Sequence, residues 1–154
     1  MTALALDIGT RRIGVAVSCA QERMAFPLET VAALPRSAAV ARITRLAQER
    51  EVRVVVVGLP LDLRGREGGA VRRTRAFCAA LADALETPIA EWDERLSSAA
   101  AERALLEGDM RRSRRKEVVD QVAATLILQS WLDAERAGNE AEPDAQRAAD
   151  TERS

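Results

Sequence analysis

Three acidic positions stand out, because each lies where an unpaired carboxylate is costly. Asp7 interrupts A-L-A-L-D-I-G-T-R-R-I-G-V-A-V, residues 3–17, in which two strand-like apolar runs flank a turn-compatible Gly9 to Arg12. An ionised carboxylate within a core strand needs a cation or several donors, so Asp7 is expected where the strand meets solvent or a metal. Capping of the Gly9 turn through backbone N–H groups is the simpler alternative. Asp93 and Glu94 end another predicted strand in W-D-E-R-L-S-S, residues 92–98. Side chains alternate along a strand, so only one of this pair can share a face with a given neighbour. Asp120 falls on the apolar stripe of the last predicted helix, with Ala124, Ile127 and Trp131 at +4, +7 and +11. It could complement the helix macrodipole there, but an aspartate along a buried stripe favours a functional role. The chain contains no histidine and no tyrosine, which removes the usual general base and every Ser-His or Cys-His arrangement. Carboxylates with a metal are the most natural chemistry left.

The cations are unevenly spread. Arg111 to Lys116 (R-R-S-R-R-K) holds five positive charges: Arg111, Arg112, Arg114, Arg115 and Lys116. Such a run suits a solvated connection, and equally a loop that neutralises phosphates. Arg11 and Arg12 in the first turn, and Arg95 beside the acidic pair, are further candidates for phosphate contact. Lys116 is the single lysine, and a GC-rich genome raises arginine and alanine together, so arginine abundance by itself carries no argument.

Composition bounds the rest. At 154 residues, with 47% hydrophobic and 31% charged residues, the chain suits one domain with a proper core. No run of about 18 apolar residues and no charged-then-apolar leader is present, so no membrane span is expected and a cytoplasmic location is the default. Cys19 and Cys78 lack further ligands for a structural zinc site and are expected as two small buried residues. Five acids after Gly138 against Arg147 and Arg153 leave a small positive excess on the remainder. That acidic stretch, residues 138–154, is polar, lacks periodicity and is expected to be a disordered tail.

The elements that must position the acids follow in order. Strands are predicted over Ala3–Ile8, Ile13–Val17 and Phe26–Val31, an antiparallel meander with Pro27 near the edge or start of the third strand. Ser37 is the candidate N-cap of a helix over Ala38–Arg50, and the apolar run Val52–Val57 suits a central strand covered on both faces. The Gly-rich loop 58–69 lies at the carboxyl end of that strand, where open α/β sheets place ligands, and leads into a helix over Ala70–Leu85. A short strand Pro88–Trp92, a helix capped by Ser97 or Ser98 and ending near Gly108, and a last helix over Glu117–Ala137 complete residues 1–137. The pattern predicts an α/β fold: a mixed five-stranded sheet, the meander followed by βα crossovers, flanked by helices.

A-L-D-I-G-T-R-R-I-G-V-A-V, V-V-G-L-P-L-D-L-R-G-R-E-G, W-D-E-R-L-S-S and V-V-D-Q-V-A-A-T-L-I-L-Q-S-W-L-D resemble, in order, the four signature blocks of the RuvX/YqgF family. The resemblance implies a ribonuclease H-like nuclease domain related to RuvC-type resolvases, acting in Holliday junction resolution or in 5′ maturation of 16S ribosomal RNA. By motif it implies Asp7, Glu94 and Asp120 as catalytic and metal-binding residues, with Glu94 chosen over Asp93 by likeness to the resolvase pattern. Two Mg2+ or Mn2+ ions, a four-way DNA junction or precursor rRNA as partner, and a homodimer for junction cleavage belong to the same expectation. The D-I-G-T turn also resembles the phosphate hairpin of actin-like and sugar-kinase ATPases, which need two such domains. A catalytically weak nucleic-acid-binding protein of the same fold is the other alternative.

Overall fold

The computed structural model describes residues 1–19, 23–99, 101–102, 105 and 112–152, with side chains in the last span described over 118–138. Strands β1 (Ala3–Ile8), β2 (Arg12–Ser18) and β3 (Ala25–Ala32) form the predicted meander. Helix α1 (Arg36–Glu49), strand β4 (Val54–Leu59), helix α2 (Gly69–Ala84), strand β5 (Ile89–Asp93) and helix α3 (Arg112–Glu152) follow. The sheet order is β3-β2-β1-β4-β5, with β1, β4 and β5 parallel. All three parallel strands therefore end at one edge of the sheet.

The pleat sorts the core into two layers. Leu4, Leu6, Ile13, Val15, Val55 and Val57 pack under α1 and α2 with Ile43, Leu46, Phe77 and Leu81. Ala3, Ala5, Ala16 and Val56 face the opposite way and pack under α3 with Ala123, Ala124, Ile127, Leu128 and Trp131. Small side chains on this second face let the helix lie close. Two strand glycines take this further: a Cβ at Gly14 would overlap the carbonyl oxygen of Asp120, and one at Gly58 would stand 2.6 Å from Ile127 Cδ1. The β1–β2 turn is closed by Gly9 N–H donating to Arg12 O at 2.9 Å, and a Cβ on Gly9 would stand only 2.8 Å from that oxygen.

Several local expectations are corrected. Helix α1 starts at Arg36 with Pro35, not Ser37, as N-cap, because the Pro35 carbonyl already accepts from Ala38 and Ala39. Val52 belongs to the helix ending: its N–H donates to Ala47 O and that of Glu51, at φ 51°, to Gln48 O, the Schellman pattern. Cys78 is buried as expected, but Cys19 is exposed, because it follows β2 in a loop. Residues 112–116 are helical, not a loop, consistent with the good helix propensity of arginine and lysine. The helix is assigned as far as Glu152, through residues rich in alanine and glutamate. Ser97 Oγ accepts from Ala99 N–H at 3.2 Å, as an N-cap does, while most of the helix expected to end near Gly108 lies outside the described residues. Among the described residues no helix is long and apolar enough to cross a membrane.

Candidate active site

Asp7 pairs across the hairpin with Gly14, so its side chain leaves the sheet on the face where Gly14 lacks one. That face is the α3 face, and the backbone directly over Gly14 is that of Asp120. Residues 7 and 120, far apart in the chain, are thereby brought together at the carboxyl edge of the sheet. Both acids are half-buried.

Helix α3 is held in rotation as well as in distance. On the β3 side, Gln121 Nε2 donates to Thr30 Oγ1 at 3.0 Å, and Gln129 Oε1 accepts from Ala25 N–H at 3.0 Å. On the β5 side, Trp92 Nε1 donates to Ser130 Oγ at 3.0 Å, and Ser130 Oγ donates to Leu96 O at 3.1 Å. These polar pins, together with Ile127 over Gly58, orient the Asp120 position toward the first hairpin. Arg12 completes the arrangement, its Nε donating to Asp120 Oδ2 at 3.2 Å. Gly9, Thr10, Arg11, Arg12 and Asp120 line a polar cleft of about 290 Å³.

The acidic pair is split between the last residue of β5 and the 3-10 turn that follows it. Trp92 lies on the α3 face opposite Gly58 of β4, and Asp93 therefore lies on the other. Asp93 accepts from Arg95 N–H at 2.9 Å and from the Arg95 guanidinium at 2.7 Å, capping the 3-10 turn Glu94–Leu96. The guanidinium holds the Asp93 carboxyl below the usual range, and Asp93 raises the Arg95 pKa in return. Glu94 is the buried member, only 6% exposed. The pair thus has one acid engaged by a neighbouring cation and one enclosed at the sheet edge.

Asp7 stands one residue beyond Leu6, whose partner in β4 is Val57, so Asp7, Gly58 and Trp92 form one row across the sheet. Two strand spacings, about 10 Å, separate the β1 and β5 backbones, with β4 between. Among the described residues no three acidic or cysteine side chains stand close enough to hold a metal ion. The chemistry of the donor set does suit one: Asp7, Glu94 and Asp120 supply only hard carboxylate oxygens, the donors that Mg2+ and Mn2+ prefer.

The candidate phosphate-binding residues are more scattered. Arg11 and Arg12 belong to the cleft, while Arg95 is turned to Asp93 and to the loop at Gly65. Arg111 lies outside the described residues, and so do the side chains of Arg112, Arg114, Arg115 and Lys116, whose backbones form the first turns of α3. Two features were missed from sequence. Gly14 inside a strand pattern was a signal of close backbone approach. Asp62 in D-L-R-G-R was a signal of a side-chain-closed turn, and its carboxylate does accept from the N–H groups of Arg64 at 2.9 Å and Arg66 at 2.8 Å. The Cys78 thiol has no part here: burial pushes its pKa up to about 11.

Comparison with known proteins adds four findings. A family model described as "RuvX: Holliday junction resolvase" matches residues 1–134. A protein of Chloroflexus aggregans (strain MD-66 / DSM 9485), named "Putative pre-16S rRNA nuclease", is 50% identical over 135 residues, 88% of this chain and 95% of its own. Thermus thermophilus RuvC superposes with a TM-score of 0.55 at 19% identity, over 89% of this chain and 97% of that one. The same protein in complex with Holliday junction substrate gives 0.55 at 18% identity, over 88% and 96%. At such identity the likeness concerns the fold, which is the ribonuclease H-like architecture expected from the sequence blocks.

Proposed function

The chain belongs to the RuvX family, and from that premise we propose that it is a divalent-metal-dependent nuclease that hydrolyses phosphodiester bonds in structured nucleic acid. The observation that carries this reading is the convergence of Asp7 and Asp120 over Gly14, at the sheet edge that also holds buried Glu94. Asp7, Glu94 and Asp120 would hold Mg2+ or Mn2+, which when bound supplies an activated water and stabilises the leaving oxygen. The chain's own residues then position the substrate. Arg11 and Arg12, on the rim of the cleft, neutralise phosphate, and the carboxylates exclude any phosphate whose charge is not compensated at the site. The basic run Arg111 to Lys116 would add further phosphate contacts.

Precursor 16S rRNA is the favoured substrate, because the name of the half-identical relative points to it. The family description makes a four-way DNA junction the second. A junction is cut symmetrically and would require a two-fold dimer, whereas 5′ trimming of RNA does not. The proposed place of action is the cytoplasm.

The test is cleavage of a labelled precursor-type RNA and of a four-way DNA junction in Mg2+ or Mn2+, by wild type and Asp7→Asn side by side. Asp7→Asn is expected to lower the rate by at least about a hundredfold, leaving the melting temperature and nucleic-acid affinity near those of wild type. Equal cleavage by the variant overturns the assignment. Binding of both nucleic acids without cleavage by wild type favours a binding protein of nuclease-like fold.

A further inference from the structure

Leu63 is 98% exposed, more than any other large apolar residue among those described. A single exposed leucine is ordinary, but one held outward by a locked turn is not. Asp62 closes that turn. Its carboxylate accepts from the backbone N–H of Arg64 and Arg66, and from Arg66 Nε at 2.8 Å. Its backbone carbonyl accepts from Gly65 N–H at 2.9 Å, and its own N–H donates to Arg66 O at 3.1 Å. Gly65 takes φ 78°, and a Cβ there would stand 3.1 Å from the Arg95 guanidinium, itself bound to Asp93 at the end of β5. Residues 62–66 are thus tied to one another and seated against the segment that carries Glu94, with Leu63 at the apex.

The surroundings of this tip are cationic. Arg64 and Arg66 lie within the turn and are exposed, and Arg72 and Arg73 are exposed in the helix that follows the loop. The nearby acids are engaged internally: Asp62 with Arg66, Asp93 with Arg95, and Glu67 with Arg75 at 2.7 Å. An apolar tip followed directly by the exposed Arg64 complements a polyanion whose apolar surface lies between stacked bases.

We propose that Leu63 is a wedge that enters a base step of nucleic acid seated on the acidic site, while Arg64 and its neighbours hold the flanking phosphates. The wedge rests on the nuclease reading and deepens it: the substrate class becomes nucleic acid that must be unstacked beside the scissile bond. Locking by Asp62 makes the tip rigid before binding, so the substrate, not the loop, is deformed.

The test uses the full chain carrying Asp7→Asn, so that substrate survives, with a four-way DNA junction and a stem-loop RNA bearing 2-aminopurine at successive steps around the branch or stem base. Binding is expected to raise the fluorescence about threefold at one step, as a base leaves the stack. Adding Leu63→Ala is expected to abolish that rise while affinity changes by no more than about twofold, since the phosphate contacts remain. In the cleavage-competent chain, Leu63→Ala is expected to slow cutting of the paired substrate about tenfold, with the rate restored by a mismatch at that step. A fluorescence rise unaltered by Leu63→Ala overturns the wedge alone. So does concentration-dependent dimerisation that Leu63→Ala removes while the fluorescence rise persists, which would assign the tip to a second copy. Failure of wild type to bind either nucleic acid overturns the nuclease reading and the wedge with it.

Discussion

Arg12 is the residue on which the candidate site turns, because it lies at once in the first hairpin and against the last helix. Its ion pair with Asp120 is only partly buried, at 34% and 21% side-chain exposure, so its net contribution to stability is small. Arg12→Ala is expected to change unfolding free energy by less than about 1 kcal/mol, measured by denaturant titration. The same variant is expected to weaken nucleic-acid binding several-fold, with a shallower dependence on salt, because one phosphate contact is lost. A stability loss several times larger would make the pair a structural strut instead. Asp93 and Glu94 illustrate how neighbouring residues part ways: identical charge and adjacent positions, one ending the strand and bound to Arg95, the other buried in the 3-10 turn that follows. The sequence contained both acids and the rule of alternation, but not the absolute phase, which is set by Trp92 facing Ser130.

At the level of elements, α3 is both the cover of one sheet face and the carrier of Asp120. Its approach depends on Gly14. Gly14→Ala forces the Asp120 carbonyl away from β2, and since this neighbour is backbone it cannot rotate aside. We expect a loss of about 2–3 kcal/mol in stability, read from thermal or denaturant melts, together with a large loss of cleavage. The loop at Asp62 answers to pH in a definite direction. Hydrogen bonds from Arg66 and Arg64 hold the Asp62 carboxyl below its ordinary range, so the turn is favoured above that range and loosens as pH falls through the lowered value. Amide exchange at Arg64 and Arg66, compared with other loop amides after correction for intrinsic rates, is expected to lose protection below about pH 4. Strand and helix identities were legible from periodicity, whereas the two glycine contacts and the polar pins were not, since each joins residues about thirty to over one hundred positions apart. The basic run before Val118 looked like a loop because charge density obscured the helix propensity of arginine and lysine.

For the molecule as a whole, the mixed five-stranded sheet flanked by helices followed from the pattern of elements, because right-handed crossovers leave few ways to add two strands to a meander, whereas the order β3-β2-β1-β4-β5 is read from the structure. The small residues Ala3, Ala5, Ala16 and Val56 form a face that α3 covers with Ala123, Ala124, Ile127, Leu128 and Trp131. A chain ending at residue 117 is expected to lack a cooperative melt and to bind a hydrophobic dye, because this face is left open to water. The same arrangement has a meaning in time. Synthesis runs from Asp7 toward Asp120, and the carboxylate set cannot close until the helix that seals the sheet has emerged from the ribosome. On the reading proposed above, the chain therefore has no complete site until the segment carrying Asp120 has been synthesised and has docked on the sheet.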